Sequence, residues 1–156
     1  MSNNPYDTPQ AELASAAPED FVYVGFWPRA GASLIDSCWM LLITMPLLVA
    51  IYGWEYFDGD TFVSGTWDVL ISYVFPAVAV LVFWRYRSAT PGKMAIKAKI
   101  VDAKTGMAPS TAQLVGRYLG YYVSMLPLML GIIWVAFDKR KQGWHDKLAG
   151  TLVVKN

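Results

Sequence analysis

From residue 31 to residue 52 the chain is apolar and carries one charged side chain, Asp36. That run constrains the fold more than any other feature. About 20 residues at a helical rise of roughly 1.5 Å match the ~30 Å hydrocarbon core of a bilayer. Trp27 precedes the run, and Tyr52 and Trp54 close it, where amphipathic rings settle at a membrane–water boundary. Pro28 suits a first helical turn, in which its missing N–H costs nothing. A second, shorter apolar run covers residues 69–84, with Pro76 near its middle and Trp67 at its flank. It is long enough to span with a local kink. A third covers residues 114–137 and is interrupted by Pro127 and Gly131. The expected class is an all-α membrane protein with two full transmembrane helices and a third, Pro-broken hydrophobic segment. Its 156 residues, 55% of them hydrophobic, allow one domain and give no case for a soluble enzyme.

The thirteen Lys and Arg residues are distributed unevenly. Residues 53–68 hold Glu55, Asp58, Asp60 and Asp68 and no base, whereas residues 85–117 hold seven bases against Asp102 alone. Lys and Arg are retained in the cytoplasm. The expected arrangement is therefore multi-pass in the cell inner (cytoplasmic) membrane, with Arg29 and the N-terminus inside and the acidic loop outside. A third full span would place the basic tail, with Lys139, Arg140, Lys141, Lys147 and Lys155, outside. A re-entrant hairpin breaking near Pro127 would return it to the cytoplasm, and the charge rule favours that return. Proline there removes a helix hydrogen bond and disfavours helical geometry at Leu126. Residues 1–20 carry Asp7, Glu12, Glu19 and Asp20 with no base, unlike a secretory signal. A disordered acidic tail over 1–25 is expected to precede a membrane domain over 26–156.

The loop after the second run has local order of its own. Ile96, Ala98 and Ile100 alternate with Lys97, Lys99 and Val101, a strand pattern of period two. Residues 102–106 read as a turn, so a small hairpin is expected. The β-favouring run 151–154 follows Gly150. If it pairs with the first strand, a small cytoplasmic β element forms, and both strands lie on one side of the membrane. Ser110 and Gln113 have the spacing of a capping box at the start of the third apolar helix.

Asp36 is the residue most open to a functional role. A carboxylate at membrane depth costs at least ~2.5 kcal/mol unless it is neutralised, paired or hydrated. Arg29, seven positions earlier, shares its face but lies about 10 Å away along the axis, so a partner from another segment is expected. Two readings stay open: a proton- or cation-binding carboxylate, or a buried charge pair holding helices together. Asp146 stands among Lys139, Arg140, Lys141 and Lys147; it reads as salt-bridged or helix-capping, or as a second member of a relay with Asp36. Asp138 reads as a solvated interfacial carboxylate, and His145 as incidental. The single cysteine, Cys38, and the single histidine exclude an internal disulfide and a multi-histidine metal site. No cofactor and no nucleic-acid partner are expected. Thr90-Pro-Gly-Lys93 fails as a phosphate loop, because Arg87 stands where its first glycine belongs and Met94 follows the lysine. Pro91 and Gly92 fit the centre of a type II turn, with Lys93 near lipid phosphates. Gly116 and Gly120 allow close helix packing.

Taken in order, several blocks resemble the RDD family of small membrane proteins, named for one arginine and two aspartates. They are Arg29-Ala-Gly-Ala-Ser-Leu-Ile-Asp36, Thr90-Pro-Gly-Lys93, the strand over 96–102, Arg117, and Lys141-Gln-Gly-Trp-His-Asp146-Lys-Leu-Ala-Gly-Thr151. By match, Arg29, Asp36 and Asp146 are the name-giving residues. Some members are described as sodium–proton antiporters and others as accessory membrane proteins. The resemblance implies either a monovalent cation/proton exchanger using Asp36, with Arg29 as charge partner and Asp146 assisting, or a non-catalytic adaptor or assembly factor. In the second reading the charged residues are structural, and the basic face binds a membrane-protein partner or lipid. So few segments make little wall for a pathway, so a homo-oligomer is expected.

Overall fold

The computed structural model describes residues 21–59 and 63–156. The expected tail over residues 1–20 lies outside the described residues. Residues 21–25 do not continue it: Tyr23 bridges to Val154, Val24 N–H donates to Val153 O at 3.0 Å, and Val24 is buried.

Two helices are long and apolar enough to cross a membrane. The first, α1 (Phe26–Tyr52), starts five residues earlier than the apolar run and contains Pro46. It stops at Gly53, whose φ of 75° is open to glycine and whose N–H closes onto Val49 O at 2.8 Å. The second, α2 (Thr66–Arg87), widens to i→i+5 bonding over Leu70–Val74. Pro76 follows directly; its ring crowds the carbonyl four residues back, and a widened turn relieves that crowding. Ser88, left-handed at φ 51°, ends α2 by donating its N–H to Trp84 O, with Arg85 and Arg87 in the last turn. Their charge suits the negative end of the helix dipole.

After α2 the chain forms a short helix α3 (Pro91–Ala95) and then β1 (Ala98–Asp102). The type II turn expected at Pro91 and Gly92 does not form. Thr90 is extended as the N-cap and Pro91 takes the first helical position, which its fixed φ and missing N–H favour. The turn after β1 forms as expected, with Asp102 Oδ1 accepting from the N–H groups of Lys104 (2.7 Å) and Thr105 (2.8 Å). Among the described residues no hairpin partner follows it. β1 pairs instead with β2 (Thr151–Lys155), antiparallel from Ala98↔Lys155 to Asp102↔Thr151. Ile100 packs with Trp84 and Leu114, and Val101 with Leu152, Val154 and Phe21, so both faces of the ribbon are covered.

The third hydrophobic segment breaks where Pro127 stands. Helix α4 (Thr111–Met125) starts in the expected capping box, Ser110 with Gln113, and gives way to α5 (Leu130–Ala136) through a 114° bend. Leu128 and Met129 are both left-handed in the bend. A side chain at Gly131 would place Cβ 2.7 Å from Ser124 Cα, so glycine is what lets α5 fold back. A final helix, α6 (Trp144–Ala149), leads into β2. β2 lies beside Val24, just before α1, and β1 is tied to Ser88, just after α2, by Ile100 N–H to Ser88 O at 2.6 Å. The start of α1, the end of α2 and the C-terminal strand thus share one end of the molecule, called the basic end below.

Of the Gly116–Gly120 pair, only Gly120 is used for packing. A Cβ there would lie 2.9 Å from His145 Cα, whereas nothing approaches Gly116 within 4 Å. Gly120→Ala is therefore expected to destabilise by about 1–3 kcal/mol through overpacking, and Gly116→Ala to be neutral or better. Thermal unfolding of the two variants in mild detergent checks this; equal effects would contradict the assignment.

Candidate functional site

Two carboxylates organise the basic end, and they differ in almost every respect. Asp146 sits in the first turn of α6 with no exposed surface. Its Oδ2 accepts from the Gly143 N–H at 3.1 Å, closing the N-terminus of its own helix. The same oxygen meets Arg29 Nη1 at 2.5 Å, and Oδ1 meets Arg117 Nη1. Arg29 comes from the first turn of α1 and Arg117 from the middle of α4, so one carboxylate binds three helices. The remaining donors of each guanidinium are largely spent on the fold. Arg29 reaches Val24 O (2.9 Å) and Lys141 O (2.6 Å), and Arg117 reaches Thr151 Oγ1 at 2.7 Å. Arg117 also lies over the rings of Trp84 and Tyr121, 5.4 and 5.8 Å from their centroids, a cation–π arrangement. Burial alone would push the Asp146 carboxyl up, but Arg117 and Arg29 outweigh it and hold the group well below the usual carboxylate range.

His145 is not incidental. It is 3% exposed, stacked on Tyr121 at 4.0 Å, with Nδ1 3.4 Å from Ser124 Oγ. Burial lowers its pKa from 6.5 to about 3, against the opposing pull of Asp146, so the ring is neutral near pH 7. Asp138 is more anchored than a solvated carboxylate: it meets Lys147 Nζ at 2.5 Å and accepts from the Arg140 and Gln142 N–H groups.

Asp36, in α1, is half-buried, and its two closest partners come from another segment, as its depth requires. Oδ2 accepts from Thr90 Oγ1 at 2.5 Å; Oδ1 accepts from Gly92 N–H at 2.7 Å and, less closely, from Trp39 Nε1 at 3.3 Å. Gly92 permits this approach, since a Cβ there would sit 1.9 Å from Ala32 O and 2.9 Å from Asp36 Cγ. The motif read as a turn is thus a seat for the Asp36 carboxylate. Pro91 starts the seat, Gly92 touches the carboxylate, and Lys93 is 6% exposed rather than open to the surface. Its ammonium lies 3.5 Å from Thr90 Oγ1 and 6.0 Å from the centre of the Trp84 ring. Asp36, Thr90 and Lys93 line a cleft of about 340 Å³ with Ser33, Ser37 and Trp84, closed on its far side by tyrosines of α4.

Residues 23–150 match the model of the RDD family. The chain belongs to the RDD family. It is 31% identical over 160 residues to YteJ, an uncharacterized membrane protein of Bacillus subtilis strain 168, across 99% of this chain and 92% of that one. A shorter match, 40% over 76 residues, is to the uncharacterized protein RP437 of Rickettsia prowazekii strain Madrid E, covering 49% of this chain and 42% of that protein. No solved structure matches.

In this RDD protein the three name-giving positions do not form one site. Arg29 and Asp146 bond to each other, and Asp36 bonds to the Thr90-Pro-Gly segment. Sequence reasoning noticed Arg117 only as a motif block. Its signal was available: an arginine inside an apolar run needs a buried partner, and Asp146 is that partner.

The pH response of the fold follows from His145. Its folded pKa lies below its unfolded one, so the unfolded chain binds the extra proton first. The stability that depends on a neutral His145 is complete above pH 6.5 and is lost as pH falls toward about 3. Melting temperatures in mild detergent should decline from pH 6.5 downward in the wild type and decline less between pH 6.5 and 4.5 in His145→Gln. Identical profiles would contradict a buried neutral ring.

Proposed function

We propose that this RDD protein is a small proton-coupled exchanger of monovalent cations, a carrier rather than an enzyme, with Asp36 as the exchanging carboxylate. One observation carries the reading: Asp36 opens onto a cleft, whereas Asp146 is sealed between two arginines. A group that exchanges a proton for a cation must be reached by both. Around the cleft the hydroxyls of Ser33, Ser37 and Thr90 join the carboxylate, an all-oxygen set of the kind hard cations prefer. Lys93 stands across Thr90 from Asp36, so its ammonium and a bound cation compete for the same hydroxyl oxygen. Arg29 and Asp146 then hold the architecture instead of tuning Asp36. The charge distribution supports an inner-membrane orientation with both termini and the basic end in the cytoplasm. The apolar outer faces of α1 and α2, with Leu34, Leu42 and Val78 exposed, are available for homo-oligomer contacts as well as lipid.

A second reading, a non-catalytic membrane adaptor, is favoured by the commitment of Arg29, Arg117 and Asp146 to the fold and by the exposed Lys97, Lys104 and Lys139 at the basic end. Purified protein in sealed vesicles under a proton gradient separates the two. The exchanger reading expects added sodium or potassium to dissipate the gradient with wild type and not with Asp36→Asn. That variant should stay folded, because the amide oxygen can still accept from the Gly92 N–H while the amide NH2 turns to donate to Thr90 Oγ1. A wild type that moves neither ion removes the exchanger and leaves the adaptor.

A further inference from the structure

The cleft beside Asp36 is lined by one donor that the fold leaves without a partner and by one ammonium that it satisfies only in part. Lys93 offers three N–H donors, yet its one hydrogen bond is the long contact to Thr90, and none of the described salt bridges includes it. Trp84 is 2% exposed, and its Nε1 has no partner. Buried donors without acceptors are costly, and both of these side chains line the same cleft. An anion placed there would relieve both.

The shape beyond the cleft says what kind of anion. Asp36, Ser37 and Val80 also line a second hollow of about 450 Å³, which continues to Met40 and Leu41. Met40 lies one turn farther from the basic end along α1, so the hollow runs from a polar opening into the span between α1 and α2. A polar pocket holding an unpaired ammonium, joined to an apolar groove directed toward mid-membrane, has the outline of one leaflet's phospholipid.

We propose that the cleft is a phospholipid site, in which Lys93 Nζ and Trp84 Nε1 bind the headgroup phosphate and the Met40–Leu41–Val80 groove holds an acyl chain. The headgroup enters from the leaflet at the basic end. Asp36 faces the same cleft but is not a phosphate ligand; like charges keep the phosphate on the Lys93 wall. The site does not depend on cation exchange. Lipid binding without transport would remove the exchanger and leave the lipid site, and transport without lipid binding would do the reverse.

Native mass spectrometry of the full chain released from detergent micelles tests the assignment. The probes are dioleoylphosphatidylglycerol, dioleoylglycerol (the same tails without phosphate) and glycerol phosphate (the phosphate without tails). Wild type should retain phosphatidylglycerol at least tenfold more tightly than either other probe. Equal binding of glycerol phosphate would make this a free-phosphate site, and equal binding of dioleoylglycerol would make it a greasy groove; either result overturns the proposal. Lys93→Gln should weaken phosphatidylglycerol binding about tenfold, while Arg87→Gln, which removes an exposed charge nearby, should not. Equal losses in the two would reduce the effect to surface attraction and overturn it. Should Lys93→Gln fail to fold, Trp84→Phe, which keeps an aromatic ring but deletes the indole N–H, and Met40→Trp, which fills the groove, must each weaken binding; wild-type retention in either overturns the site.

Discussion

A single carboxylate without solvent contact, Asp146, organises the basic end by pairing with arginines from two different helices. Taking those charges out of water costs several kcal/mol apiece, so each is stable only while the others are present. Arg29 fixes the first turn of α1, Arg117 the middle of α4, and Asp146 the short α6. The return of the third hydrophobic segment follows from that constraint as much as from Pro127. If residues 114–137 crossed the membrane, α6 would stand on the opposite side from Arg29, and both arginines would be left without a counter-charge. The β ribbon, the buried His145 and the close contact at Gly120 are built onto the same junction.

How much of this the sequence disclosed depended on how local each signal was. Hydropathy located both spans, because the bilayer imposes a length and a composition that a one-dimensional pattern can carry. The break near Pro127, the capping box at Ser110 and the turn at Asp102 were legible for the same reason, each being decided within a few residues. The pairing of β1 with β2 was readable in outline from two short β-favouring runs. Contacts across the chain were not. Arg29 and Asp146 are 117 positions apart, and no periodicity connects them. Arg29 and Asp36 share a helix face but lie too far apart along it to bond, so a partner for Asp36 from another segment was foreseeable. Which segment was not, and the charge partnership with Arg29 that the family resemblance implied does not form. Thr90-Pro-Gly-Lys93 was read as a turn because Pro-Gly is common there; what decided its form was tertiary, the need to bring the Gly92 N–H against Asp36 beneath Ala32. His145 looked incidental because only the fold shows the glycine and tyrosine of α4 closing over it.

The family's charged residues consequently divide by environment. The Arg29–Asp146–Arg117 junction is sealed, and among its described guanidinium nitrogens Arg117 Nε alone is buried without a partner, which suits a structural part. The Asp36 cleft is open and holds donors and acceptors in excess of what the fold uses, which suits a binding part. Asp36 touches the hydroxyl of Thr90, which Lys93 also touches, so the carboxylate and the ammonium communicate through one side chain.

The central claim is that Asp146 and Arg117 are stable only as a pair. The most direct test is a double-mutant cycle on unfolding in mixed micelles, using Asp146→Asn, Arg117→Gln and the two together. Each single change should cost about 3–5 kcal/mol, and the double should cost well under their sum, giving a coupling of at least ~2 kcal/mol. Strictly additive losses would contradict the account, because they would mean that the two side chains support the fold independently.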